Sequence, residues 1–287
     1  MSNLKSNSIK NEANPFGTSS LNVLYTNATS LVNKVEEFKH LCAFKNPHII
    51  AIAETWFTKT SIVNLEGFTL YSRNREDGRK GGGVALYIDS KLISYEVNEG
   101  VLTNNKVEQI WVTIVNKNCK YLIGCVYRPN EQTDMIEMSQ IFTEANNLIG
   151  NNHYSDLLIL GDFNFPNIKW SNGYVHDIIS GEESIENQFS DIINDCFLYQ
   201  HVCMPTFQQS QQILNNTLDL ILTKNTERVY ELESNPVLGN ITHGHLVLTF
   251  KFSLDDVVSE EISKYKFDYT RGDFYQISQC LDVTDWN

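Results

Sequence analysis

The sequence predicts an α/β fold made of two sheets with helices on their outer faces. Three observations lead there. Apolar runs of strand length alternate with stretches of helical spacing, and the first strand, helix and strand make a βαβ unit. Residues suited to acid-base and phosphate chemistry also fall at the ends of six predicted strands, where open α/β sheets keep their sites. A length of 287 residues with 41% hydrophobic side chains is enough for a substantial core, as one large sandwich or two average domains.

The elements follow in order. LNVLYT (Leu21 to Thr26) reads as a strand, Leu31, Val35, Phe38, Leu41 and Cys42 recur at helical spacing, and HIIAIAE (His48 to Glu54) reads as a buried strand. Strand-like runs come next at GVALYI (Gly83 to Ile88), VEQIWVTIV (Val107 to Val115) and YLIGCVY (Tyr121 to Tyr127); the short gaps between them suggest antiparallel hairpins. Thr133 to Ile149 has a helical pattern, LLIL (Leu157 to Leu160) is a strand, and Ile185 to Cys196 suits a helix. The last strands are LDLILT (Leu218 to Thr223) and LVLTFKF (Leu246 to Phe252). Three regions are expected: a disordered polar segment over 1–20, the folded domain over 21–253, and an acidic linker and tail over 254–287.

Composition narrows the function classes. With 22 Lys+Arg against 35 Asp+Glu the net charge is -13, which argues against a general duplex binder with a broad basic footprint. Arg73, Arg75, Arg79 and Lys80 nevertheless crowd one loop before Gly81-Gly82-Gly83; that loop could hold a phosphodiester or be a solvated charged turn. The six cysteines (Cys42, Cys119, Cys125, Cys196, Cys203, Cys280) are scattered and form no C-x-x-C pair, so buried reduced thiols are expected. The polar start lacks the apolar core of a secretory signal, and no apolar run approaches a bilayer span. The expectation is an intracellular protein, nuclear or cytoplasmic, without a membrane partner. The glycine run lacks the G-x-G-x-x-G spacing and reads as a flexible entry to the next strand, so no nucleotide cofactor is implied. Trp56, Trp111 and Trp170 are expected in the core.

The run LLILGDFN (Leu157 to Asn164) delivers an aspartate, an aromatic ring and an asparagine at the end of a buried strand. Alone this is also what an ordinary Gly-Asp turn looks like. Its neighbours give it weight. Asn27 follows one predicted strand, Glu54 ends a second, Tyr127 ends a third, and Asp162 and Asn164 follow a fourth. Asp219 opens a fifth, and His243 and His245 precede a sixth. Such a set suits phosphodiester hydrolysis. Mg²⁺ (or Mn²⁺) prefers oxygen ligands, a role that Glu54 and Asn27 fit. Asp162 could accept a proton from an attacking water, while Asn164, Tyr127 and a histidinium could meet charge on the phosphoryl oxygens. Asp219 would orient that histidine.

The chain also resembles the endonuclease/exonuclease/phosphatase superfamily, and within it the apurinic-endonuclease-like domain of non-LTR (LINE-type) retrotransposon polyproteins. The matching stretches are LYTNATSLVNKVEEF (Leu24 to Phe38), IIAIAETW (Ile49 to Trp56), GGGVALYI (Gly81 to Ile88) and VYRPN (Val126 to Asn130). LILGDFNFPNIKW (Leu158 to Trp170), LDLILT and HLVLTF (His245 to Phe250) complete the set. The resemblance covers about Leu21 to Phe252 and implies a four-layer α/β/β/α sandwich, DNase I-like. It implies metal binding by Asn27 and Glu54, phosphate contact by Tyr127, water positioning and transition-state stabilisation by Asp162 and Asn164, and an Asp219–His245 pair. It implies an endonuclease nicking DNA, with a linked or partner reverse transcriptase, and the tail resembles the connector before such a polymerase. Three positions depart from the pattern. His243-Gly244-His245 stands where the family has Ser-Asp-His, so a carboxylate is missing and activity is expected to be reduced. Thr206-Phe207 stands for Thr-Arg, and no arginine stands at Ala28 or Thr29 after Asn27. His245 aligns with the family histidine, and His243 lies two residues away. A catalytically impaired binding relic, or a phosphatase acting on an inositol phosphate, a sphingolipid or RNA, are the alternatives.

Overall fold

The computed structural model describes residues 19–254, except 77, 130–134, 152, 180, 182–183, 211–212 and 240–241. The polar segment expected over 1–20 and the linker and tail expected over 254–287 lie outside the described residues, save for 19, 20 and 254, and so does Cys280. In chain order the strands begin with β1 (Ser20–Asn27), β2 (Ile49–Ala53), β3 (Phe68–Arg73), β4 (Val84–Asp89), β5 (Ile93–Glu96), β6 (Glu108–Asn116) and β7 (Cys119–Tyr127). They continue with β8 (Asp156–Asp162), β9 (Ile168–Ser171), β10 (Tyr174–Ile178), β11 (Tyr199–Gln200), β12 (Phe207–Ser210) and β13 (Ile213–Asn215). The last are β14 (Asp219–Thr223), β15 (Val229–Asn235), β16 (Gly244–His245) and β17 (Val247–Ser253). The helices are α1 (Val35–Lys45), α2 (Met135–Gly150) and α3 (Ile185–Asp195).

Two six-stranded sheets face each other, ordered β15-β17-β1-β2-β4-β3 and β11-β14-β8-β7-β6-β5. Each contains one parallel pair, β1 with β2 and β7 with β8. Helices make both crossovers, α1 in the first and α2 in the second, as parallel strands require. Alternate strand residues divide the interior. Val23, Ala51, Leu86, Val112, Ile123 and Leu160 fill the space between the sheets. Leu24, Ile50 and Ile52 pack outward on α1 through Phe38 and Cys42. Leu122, Ile159 and Leu222 pack outward on α2 and α3. The period of two along each strand therefore buries both sheet faces and generates the four layers α/β/β/α, as the sequence predicts. Among the described residues no helix is long and apolar enough to cross a membrane.

The order of layers departs from expectation in one place. The run Gly83 to Ile88 does not form a hairpin with Val107 to Val115. β4 pairs with β2 and β3 in the first sheet, and the chain then crosses through β5 to reach β6 in the second. A gap length cannot reveal a change of sheet. The edge strands β3, β5 and β15 and the small hairpins β9–β10 and β12–β13 also escape the sequence pattern, because they are short or half exposed. Of the cysteines, Cys42, Cys125 and Cys196 are buried free thiols, Cys119 is half-buried, and Cys203 is exposed, against the expectation for it.

Candidate active site

Sheet register brings four of the expected residues to one end of the sandwich. Asn27 is the last residue of β1, Tyr127 the last of β7, Asp162 the last of β8 and Asp219 the first of β14. Tyr127 pairs with Asp162 across the parallel ladder, and Asp219 pairs with Asp162 across the antiparallel one. Gly161 lets this happen: a Cβ there would sit 2.2 Å from the Val126 carbonyl oxygen, so a side chain would push β8 off β7. The residue between the two polar groups of GDFN serves as an anchor. Phe163 is fully buried and packs its ring 6.0 Å from Phe142 and 5.3 Å from Phe189.

Glu54 is placed by loop geometry. It follows β2 with φ 51, and Trp56 follows with φ 55, both in the left-handed region that side chains rarely adopt. Such strain persists only where the surroundings hold it. Here Ala28, Ser30 and Leu31 donate their N–H groups to the carbonyls of Ala53, Glu54 and Thr55, while Thr55 and Trp56 donate to the carbonyls of Gly83 and Gly82. The Glu54 carboxylate accepts from the Asn27 amide at 2.9 Å and from the Trp56 indole N–H at 3.0 Å, and it accepts a third bond from the Tyr127 hydroxyl. The same Asn27 amide nitrogen donates to Asp162 Oδ2 at 2.7 Å, so one side chain ties a carboxylate of each sheet. Its Oδ1 accepts from the N–H and hydroxyl of Thr29.

Across the pocket, Asp219 is fully buried and held from both sides. The Tyr25 hydroxyl donates to Oδ1 at 2.8 Å, and His245 Nδ1 lies 2.8 Å from Oδ2, an arrangement that fixes the imidazole orientation. The Thr206 hydroxyl accepts the N–H groups of Leu218 and Asp219, which fastens the start of β14. His245 Nε2 points to Asp162, 3.6 Å from Oδ2. Burial opposes charge on His245, but Asp219 and then Asp162 outweigh it and raise its pKa to about 9. Burial pushes the Asp162 carboxyl upward, against the pull of His245 and with Asp219 adding to the rise. Burial, then Glu54 and Asp162, raise the Tyr127 phenol well above its ordinary range.

All seven expected residues thus lie in one connected set. Asn164, with φ 53, donates its amide to the Arg128 carbonyl at 2.8 Å and its N–H to Asp162 Oδ1 at 3.2 Å. Of the two histidines, His245 reaches Asp219, whereas His243 turns to the Gln209 carbonyl, 3.1 Å away on the exposed side. Phe207, where the family pattern has arginine, packs its ring 5.0 Å from His245 and 5.2 Å from His243. Gly244 has φ 138, and a Cβ there would come within 2.8 Å of Val237 Cγ1.

Three sequence expectations are corrected. Trp56 is a site residue rather than core, since it binds Glu54. The glycine run is a fitted platform rather than a flexible entry: a Cβ at Gly81 would lie 3.2 Å from the Trp56 indole nitrogen, and one at Gly83 would lie 2.7 Å from the Thr55 hydroxyl. The basic loop is not a simple solvated turn, because Arg75 is half-buried in an ion pair with Glu108 and Arg73 pairs with Glu96 at 2.7 Å. A Trp two residues after a strand-end Glu, with three glycines downstream, was the available signal for the first two.

The donor chemistry fits an oxygen-preferring divalent cation. Glu54, Asp162 and Asp219 converge with a single imidazole to offset them. Ligand atoms of Asp162, Asp219 and His245 lie within 4.8 Å of one another. Asn27 meets Thr29 through its oxygen and ties the Glu54 and Asp162 carboxylates together through its nitrogen.

The fold defines the class: this is a DNase I-like α/β/β/α sandwich, shared with apurinic endonucleases. Residues 121–240 match the family model described as endonuclease-reverse transcriptase, in line with the resemblance read from the sequence. The endonuclease domain of TRAS1, a telomere-specific non-LTR retrotransposon, superposes with a TM-score of 0.59 at 14% identity, covering 80% of this chain and 97% of that one. The AP endonuclease LMAP from Leishmania major gives a TM-score of 0.63 at 12% identity, covering 82% and 88%. The 3' phosphatase NExo from Neisseria, solved with a product DNA hairpin, gives 0.58 at 14% identity, covering 81% and 99%. No curated protein matches the chain.

Proposed function

We propose that this chain is a divalent-metal-dependent phosphodiesterase, an endonuclease that nicks DNA and leaves a 3′-hydroxyl from which a linked or partner reverse transcriptase primes. The observation that carries the reading is the hydrogen-bonded chain Glu54–Asn27–Asp162 facing Asp219–His245 at one end of the sandwich. Glu54 and Asn27 would hold Mg²⁺ or Mn²⁺; once bound, the cation supplies charge stabilisation at a phosphoryl oxygen. The protein's own groups divide the remaining work. Asp162 takes the proton of the attacking water, its carboxylate aimed by the Asn27 amide on one side and His245 on the other. His245, kept protonated by Asp219, meets negative charge on the phosphoryl oxygens, and the Tyr127 hydroxyl, given to Glu54 in this structure, turns to them when substrate binds. Asn164 and Arg128 fix the loop that bears on Asp162. Supercoiled plasmid incubated with Mg²⁺ should be nicked by the wild-type chain, not in EDTA, and not by Asp162→Ala. Equal background from wild type and Asp162→Ala at every Mg²⁺ and Mn²⁺ concentration would end this reading.

Gly244 favours a second reading, a domain that keeps the fold and binds DNA with weakened catalysis. Its backbone φ and the nearness of Val237 mean that a carboxylate cannot simply be restored there. Gly244→Asp is therefore expected to lose stability, and adding Val237→Ala to relieve the side-chain clash while leaving the backbone strain. No nicking by either form, with DNA binding retained in a filter assay, supports the binding domain.

A further inference from the structure

Glu54 stands outside the strand ladders that hold Asp162 and Asp219, so its carboxylate depends on the side chains that bind it. Those are Asn27, Trp56 and Tyr127. Two of the three lean on one ion pair. Arg75 donates its Nε to Glu108 Oε1 at 2.7 Å, and its guanidinium lies 6.0 Å from the centre of the Tyr127 ring. Glu108 opens β6 directly opposite Tyr127 in the ladder, and its other oxygen accepts the N–H of Gly83. The next carbonyl back, that of Gly82, accepts the Trp56 N–H at 2.9 Å, and Gly81 seats the indole. Lys80, at the head of the same turn, lies 5.2 Å over the Trp56 ring. The Arg75 and Glu108 side chains are only 10% and 15% exposed, which sets this pair apart from the exposed ion pairs of the surface.

We propose that the Arg75–Glu108 pair is a positioning device for the Glu54 carboxylate, acting through Trp56 and Tyr127, and that it sets the affinity of the site for a divalent cation. The inference rests on the reading of Glu54 as a cation ligand. Groups that hydrogen-bond a ligating carboxylate fix its orientation, and losing one typically weakens metal binding about 10–100-fold. Glu108 does this at one remove: without it the glycine turn loses its tether to the second sheet, and Trp56 loses the backbone acceptor that holds it over Glu54.

The test is Mn²⁺ binding to the full chain, followed by the electron paramagnetic resonance of free Mn²⁺, beside nicking rates as a function of Mn²⁺ concentration. Trp56→Phe keeps a ring in the glycine seat and removes only the indole N–H; it is expected to bind Mn²⁺ about 10-fold more weakly. Glu108→Gln is expected to weaken binding by at least as much. In both, raising Mn²⁺ by the same factor should recover nicking with little change in KM for DNA, which a general loss of structure would not allow. Trp56→Phe that folds by circular dichroism and binds Mn²⁺ like wild type overturns the positioning role alone, whatever Glu108→Gln does. A wild-type chain that binds no Mn²⁺ overturns both this inference and the reading beneath it.

Discussion

The wall of the pocket built from Asp219 and His245 and the wall built from Glu54 and Trp56 reach similar order by different means. Asp219 is fixed by strand pairing with Asp162, by the Thr206 hydroxyl beneath it and by Tyr25 beside it. Glu54 is fixed by two left-handed residues, a zipper of loop hydrogen bonds and a glycine turn that receives an indole. Ladder-held groups gain their positions from the whole sheet, so they resist local change. Loop-held groups depend on a few contacts, and small substitutions there should tune the site.

Asp219→Asn should give the largest effect. It keeps the shape of the buried residue but removes the charge that holds His245 protonated, and by analogy with the serine-protease triad it should cost on the order of 10⁴ in nicking rate. A loss below tenfold, with the fold intact by circular dichroism, would mean that this wall is architectural. Gly81→Ala probes the opposite wall. With φ 92 and the Trp56 indole 3.2 Å from the added carbon, it should cost about 1–3 kcal/mol of backbone strain and displace Trp56. The expected outcome is roughly tenfold slower nicking at limiting Mg²⁺; an unchanged Mg²⁺ dependence would show that the glycine seat is slack. The smallest effect concerns His201, whose ring nitrogen lies 2.7 Å from the Thr223 hydroxyl on β14. Burial lowers its pKa from 6.5 to about 4. The folded chain therefore resists protonation that the unfolded chain accepts near pH 6.5. Stability from this source is full above that pH and declines as pH falls toward 4. Urea unfolding at pH 7 and pH 5 should show about 1–3 kcal/mol more acid sensitivity in wild type than in His201→Gln; equal sensitivity would assign the acid loss elsewhere.

The same contrast explains what the sequence made legible. Buried strands such as IIAIA and LLIL announce themselves by apolar content, and register then carries the polar residue at each end to a common edge. Asn27, Tyr127, Asp162 and Asp219 could be read that way. His245 could be read as far as a choice with His243, because residues two apart on a strand share a face and only the Asp219 contact separates them. Glu108 could not, and Trp56 and the glycine seat left only the short motif of a Trp after a strand-end Glu with glycines downstream. Their roles arise from left-handed backbone and from contacts between residues as far apart as Gly83 and Glu108, and neither leaves a periodic trace. The crossing from β4 to β6 was hidden for a related reason, since sheet membership is decided by long-range pairing.

Asn27 links Glu54, carried by the first sheet, to Asp162, carried by the second, through one amide nitrogen. The spacing of these two carboxylates thus follows the distance between the sheets, which side chains such as Ala51, Leu86, Ile123 and Leu160 fill. The interior of the sandwich is a spacer for the chemistry at its edge.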